Sequence, residues 1–210
     1  MRILRKGSRG SDVKTLQKAL HLIEDGIFGN LTEEAVKDFQ KTNGLVVDGI
    51  VGAKTWELIL GNSAMGKSKR TINEIIVHCT ATPEGKEETI SSIRKEHLRK
   101  GWSDIGYHYV VYLDGSIHNG RDVNISGAHC EGHNQHSIGV CYVGGLENIP
   151  KVPYDKLPPK DTRTAAQKSA LLRLLRELKV LYPNATIHGH YEYANKACPC
   201  FKPKEEYKDL

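Results

Sequence analysis

An eight-residue motif occurs twice near the start of this chain. Asp25-Gly26-Ile27-Phe28-Gly29-Asn30-Leu31-Thr32 returns as Asp48-Gly49-Ile50-Val51-Gly52-Ala53-Lys54-Thr55. Asp-Gly followed by a second Gly marks a tight turn that needs unusual backbone angles. Both copies run into apolar residues at helical spacing: Ala35, Val36 and Phe39 after the first, Trp56, Leu58, Ile59 and Leu60 after the second. Thr32 is expected to cap the first of these helices, with Glu33 and Glu34 at its positive end. An earlier helix is read from Val13, Leu16 and Leu20, spaced i, i+3 and i+7. The repeat therefore restricts residues 1–62 to three short helices joined by glycine turns. That length is near the lower limit for an independent core.

Residues 63–70 are small and basic without an apolar period, and read as a flexible tether. The rest, 71–210, alternates strands and helices. Ile72 to His78 reads as a buried strand and 80–88 as a loop. Thr89 caps a helix carrying Ile90, Ile93, His97 and Leu98, which Gly101 can end. Tyr107 to Tyr112 reads as a strand, Leu113-Asp114-Gly115-Ser116 as a hairpin turn and Ile117-His118 as the returning strand. Ser137 to Val143 is a further strand and 146–163 a surface loop. Thr164-Ala165-Ala166-Gln167 has the form of a capping box. It opens a leucine-rich helix that stops before Pro183, and Thr186 to His188 is a short last strand. The fold expected is α+β: a small three-helix bundle, then a mixed sheet flanked by helices.

Composition excludes several classes. Of 210 residues, 39% are hydrophobic and 26% charged, ordinary for a globular protein. No window approaches a membrane span. The net charge of +5 is spread out, with no basic stripe carrying aromatics, so nucleic acid is not an expected partner. The mild positive balance suits an anionic polymer such as a cell wall. The N-terminus is basic without the apolar core of a secretory signal, so accumulation in the cytoplasm is expected. The five cysteines form no paired framework, and Cys79, Cys130 and Cys141 read as small buried hydrophobes.

Chemistry concentrates near the C-terminus, where His188, His190, Glu192, Lys196, Cys198 and Cys200 fall within a dozen or so residues. A catalytic zinc site takes three protein ligands and keeps one position open. The stretch is incomplete alone, and His78, at the end of its strand, is the expected distant ligand. His188 rivals His190, because period-two alternation places both on one strand face. Cys200 rivals Cys198. Glu192 reads as a carboxylate orienting a zinc-bound histidine. His129 is expected to line a substrate groove, and His108, opposite Tyr107, to lie in the core or on the surface.

Two resemblances sharpen this. Residues 1–62 resemble the peptidoglycan-binding domain 1 family through Gly7-Ser8-Arg9-Gly10, Leu16-Gln17, both Asp-Gly motifs, Phe39-Gln40 and Thr55-Trp56. That implies a module docking on peptidoglycan. Residues 72–203 resemble the type 2 N-acetylmuramoyl-L-alanine amidase family, which includes phage amidase-type lysozymes and peptidoglycan recognition proteins. The match runs through Ile76-Val77-His78-Cys79-Thr80, Gly101-Trp102, Asp104-Ile105-Gly106-Tyr107-His108-Tyr109, Gly127-Ala128-His129, Ser137-Ile138-Gly139-Val140, Gly189-His190 and Lys196-Ala197-Cys198-Pro199. It implies hydrolysis of the amide between N-acetylmuramic acid and L-alanine. It also implies Zn²⁺ on His78, His190 and Cys198, with Tyr107 and Lys196 as catalytic residues; no general base is assigned. An endolysin-like monomer released to the wall is the expected form. The competing readings are a recognition protein that binds without cutting, and a structural zinc domain closed by His188 or Cys200.

Overall fold

The computed structural model describes residues 2–20, 22–42, 45–62 and 66–210, in two compact units, Met1–Met65 and Gly66–Leu210.

The first unit holds helices α1 (Ser11–Ala19), α2 (Asn30–Thr42) and α3 (Ala53–Asn62). Leu4, Val13, Leu16, Phe28, Val36, Phe39, Val51, Trp56 and Ile59 form its core. The sequence repeat is also a hydrogen-bond repeat. Gln17 Nε2 donates to Asp25 Oδ1 (2.6 Å), the Ile27 carbonyl (3.0 Å) and Thr32 Oγ1 (3.3 Å), and Gly26 N–H donates to Gln17 Oε1 (2.8 Å). Gln40 makes the same set with Asp48 (2.8 Å), Ile50 (2.9 Å), Thr55 (3.5 Å) and Gly49 N–H (2.9 Å). Thr32 is therefore not a cap. Helix α2 already begins at Asn30, and the buried Thr32 hydroxyl donates to the Ile27 carbonyl at 3.4 Å. Only the first glycine of each motif needs left-handed backbone: φ is +74° at Gly26 and +71° at Gly49.

The second unit is built on a five-stranded sheet in the order β4-β3-β5-β1-β7. Its strands are β1 (Glu74–Cys79), β3 (Tyr109–Val111), β4 (Ile117–Asn119), β5 (Ser137–Tyr142) and β7 (Thr186–Gly189). β1, β3, β5 and β7 run parallel and only β4 is antiparallel, so the carboxyl ends of four strands lie along one edge. Ligand sites of open α/β sheets form outside such an edge. β1 and β5 are almost entirely buried, as sheets covered on both faces require. Helix α4 (Ile90–Arg99) packs Ile93 against Val110 and Cys141, and α5 (Ala165–Leu181) lies against β3. Both helices open with the capping geometry expected of Thr89 and Thr164. The α5 box is closed by Gln167, whose Nε2 also reaches the Val111 and Val143 carbonyls at 3.3 and 2.9 Å.

Three local expectations change. Residues 68–70, read as tether, are bound into the second unit. Ser68 N–H donates to the Tyr182 hydroxyl (2.6 Å), and the Arg70 guanidinium donates to the carbonyls of Val123, Asn134, Gln135 and Ser137. Small and basic composition carries no sign of carbonyls converging from distant segments. The strand read from Tyr107 has its regular ladder only from Tyr109, although Gly120 and Arg121 N–H still donate to the His108 and Tyr107 carbonyls at 2.8 Å. The loops at 80–88 and 146–163 are not wholly irregular: β2 (Thr82–Pro83) pairs with β6 (Gly145–Leu146) in a small parallel ladder.

Candidate active site

His78 is the penultimate residue of β1 and is fully buried. Its register partner on β5 is Cys141, and on the other side β7 pairs Val77 with Gly189. The chain then leaves the strand, and His190 opens a 3₁₀ turn, His190–Glu192. This brings the His78 and His190 rings to a centroid distance of 4.5 Å. Cys198 arrives on the following loop, which is tied back by Tyr191 N–H donating to the Cys198 carbonyl (2.8 Å) and the Tyr142 hydroxyl donating to the Pro199 carbonyl (2.7 Å). Its sulfur accepts from Cys79 N–H at 3.3 Å and lies 3.9 Å from His78 Nδ1. Ligand atoms of His78, His190 and Cys198 all fall within 4.8 Å of one another. Two imidazoles and a thiol converging this closely are the donor set of a three-ligand zinc site.

The rivals stand elsewhere. His188 pairs with Ile76, one two-residue step back from the level of His78, or about 6.6 Å along the strand. Its ring is held by Thr186 Oγ1 (2.8 Å) and by Glu192 Oε2 (2.9 Å). Glu192 therefore serves His188 and the Gly189 N–H, not His190, which corrects its expected role. Alternation had put both histidines on one face, but the 3₁₀ turn takes His190 off the strand. Cys200 turns away, its thiol 3.1 Å from the Gly145 carbonyl and 3.9 Å from Cys79 Sγ. The hydrogen bond to the Cys198 sulfur, with burial, pushes the Cys79 thiol up to about 12, so Cys79 stays protonated.

Burial, then the charges of neighbouring groups including Lys196, hold His78 and His190 below the usual imidazole value. Both are thus neutral, the form in which imidazole binds a metal. The Tyr107 ring lies 5.3 Å from that of His78, and its hydroxyl faces the Cys141 thiol. Burial foremost raises Tyr107 well above the usual phenol value, making it a hydrogen-bond donor and not a base. Lys196 is exposed, and its charge reaches both histidines. A cleft of about 600 Å³ opens beside Tyr107, with Thr80, Thr82, Lys86, Glu96, His97, Lys100 and Tyr154 along its walls. Its walls are mostly polar. His129 is not among its lining residues. It is buried behind the site, its Nδ1 3.0 Å from His78 Nε2. His108 is fully buried and accepts from Gly139 N–H at 2.9 Å. Sequence reasoning missed the contacts of His129 and Cys141. The Gly127-Ala128-His129 motif was the only signal for the first, and nothing marked the second.

Comparison with known proteins places this geometry. Residues 68–201 match the family model of N-acetylmuramoyl-L-alanine amidase, and residues 9–59 match that of a peptidoglycan binding domain. The endolysin of Klebsiella phage KP32 is 40% identical over 136 residues, 65% of this chain and 85% of the phage protein. A peptidoglycan-recognition protein of Drosophila melanogaster is 30% identical over 130 residues, 60% of this chain and 66% of that protein. Among solved structures, the endolysin N-acetylmuramoyl-L-alanine amidase LysCS from Clostridium intestinale superposes with a TM-score of 0.55 at 28% identity. That superposition covers 67% of this chain and 83% of the other. The chain belongs to the N-acetylmuramoyl-L-alanine amidase family, as an endolysin-like hydrolase of peptidoglycan.

Proposed function

We propose that His78, His190 and Cys198 hold a zinc ion, and that Tyr107 and Lys196 act with it on the amide between N-acetylmuramic acid and L-alanine. The observation that carries this is the convergence of the three ligand atoms within 4.8 Å, with Tyr107 standing between His78 and an open cleft. Bound there, zinc would supply Lewis-acid polarisation and activation of water. The chain supplies the rest. The Tyr107 hydroxyl, kept protonated by burial, donates to an oxygen of the reacting amide or orients the attacking water. Lys196 brings a positive charge toward the oxygen on which negative charge develops, where a preorganised charge has most effect. The walls of the cleft align the peptide, which removes much of the entropic part of the barrier.

Residues 1–62 would hold the enzyme on its polymeric substrate, raising the local concentration of cleavable bonds. No helix among the described residues is long and apolar enough to cross a membrane. The reading has the protein accumulate in the cytoplasm and reach the wall by a separate release step, degrading it and lysing the cell. Incubation of the zinc-quantified protein with purified peptidoglycan tests the reaction. New N-terminal alanine without new reducing ends, abolished by a chelator, is expected. Reducing ends would mean a glycosidase. Wall pelleting with zinc bound and no product would mean a recognition protein.

A further inference from the structure

His129 is a buried imidazole that the chemistry above does not use, and its hydrogen bonds have a determinate direction. Ser137 Oγ lies 2.8 Å from the His133 carbonyl, which can only accept, so the single hydroxyl proton of Ser137 points there. The same oxygen lies 3.3 Å from His129 Nε2, and with its proton committed it must accept. His129 Nε2 therefore carries a proton. In the neutral ring that leaves Nδ1 bare, and Nδ1 faces His78 Nε2 at 3.0 Å. Only a proton on His78 Nε2 makes that contact a hydrogen bond. The remaining nitrogen of His78, Nδ1, is then an open lone pair, and it lies 3.9 Å from the Cys198 sulfur.

The surroundings are built to hold this ring. A Cβ on Gly127 or on Gly139 would each sit 2.4 Å from His129 Cδ2, so both positions exclude any side chain. Asn134 Oδ1 accepts from the backbone N–H of His129 (2.8 Å) and of Cys130 (3.0 Å), fixing the loop that carries it.

We infer that His129 is a positioning residue that, anchored by Ser137, holds His78 as the Nε2–H tautomer with its Nδ1 lone pair turned toward Cys198. The inference rests on the reading of His78 as a metal ligand. Groups that orient a ligating histidine from behind typically change metal affinity by 10- to 100-fold.

The first test is the ring-nitrogen spectrum of the zinc-free protein labelled with ¹⁵N-histidine. The Nε2–H form is expected for both His78 and His129; an Nδ1–H form of His78 would overturn the inference without any variant. Zinc affinity by chelator competition is the second readout. His129→Phe fills the space but removes the acceptor, and should weaken zinc binding about tenfold or more. His129→Asn puts an acceptor oxygen near the Nδ1 position and should recover most of that loss. Ser137→Ala deletes one oxygen, should fold normally and should give a smaller weakening with mixed His78 tautomers. Equal affinities in the Phe and Asn variants would reduce His129 to packing. His78→Ala separates the two readings. If it leaves zinc affinity unchanged, the metal site itself is wrong. If it abolishes zinc binding while His129→Phe does not, only the role of His129 fails.

Discussion

The buried glutamines of the first unit and the buried histidines of the second reach over different distances. In the first unit Gln17 and Gln40 bond to partners no more than 15 positions away, and each satisfies its own turn. In the second, His78 lies beside Cys198 across 120 positions and bonds to His129 across 51. The short-range network closes on its own two turns. The long-range one leaves three ligand atoms converging on a common point. A buried polar side chain therefore says little about function until its partners are known. The glutamines are as buried as the histidines, yet they stabilise turns, while the histidines build a site.

The comparison is sharpest at Cys198. Cys198→Ala should lower alanine release from peptidoglycan by on the order of 10³-fold or more, the scale of losing a group that stabilises transition-state charge. Wall pelleting, assigned to residues 1–62, should be unchanged. If pelleting falls with activity, the two units do not act independently.

Acid should separate the units next. His97 and His108 are pulled from 6.5 to about 4, chiefly by burial, and each accepts a backbone N–H through Nδ1. A histidine depressed on folding contributes stability that is full above its unfolded value and lost as pH falls. The second unit should therefore weaken between pH 6.5 and 4, by up to about 3 kcal/mol for each ring. In the first unit the titrating groups of the turns are Asp25 and Asp48, lowered from 3.8 first by a backbone N–H and then by the glutamine amide. Their contribution is present above 3.8 and lost only below it. Thermal melts of the separate units at pH 7, 5 and 3.5 check the order; simultaneous loss would break the contrast.

Within the first unit, Gln17→Ala and Gln40→Ala should be equivalent. Each leaves an Asp-Gly turn without its amide partner and should destabilise that unit by about 2–3 kcal/mol, with no change in the second. Unequal values would show that the repeat is structural in appearance only. The smallest effects belong to the helix caps. Thr164→Ala and Thr89→Ala should each lower the stability of the second unit by about 1 kcal/mol, read from its denaturant midpoint.

Local features could be read from sequence because their causes are local. The Asp-Gly turns, the capping box at Thr164 and the stop before Pro183 each depend on a few neighbouring residues. Thr32 failed by the same rule: a threonine before apolar residues looks like a cap, but Gln17, fifteen positions earlier, holds its hydroxyl inside the unit. Arg70 failed because its four carbonyl partners come from segments more than fifty positions later.

Residue identity alone determined the repeat, the order of the principal strands and helices and the stock of metal-ligating side chains, since each follows from spacing and side-chain chemistry. Only the tertiary structure decided which of those side chains meet. Parallel pairing of β1 with β5 and β7 sets the level of each residue along the carboxyl edge. At that edge His190 meets His78, His188 lies a step below with Glu192, and Cys200 turns to the Gly145 carbonyl. Register between distant strands is a property of the packed sheet, and no run of neighbouring residues records it.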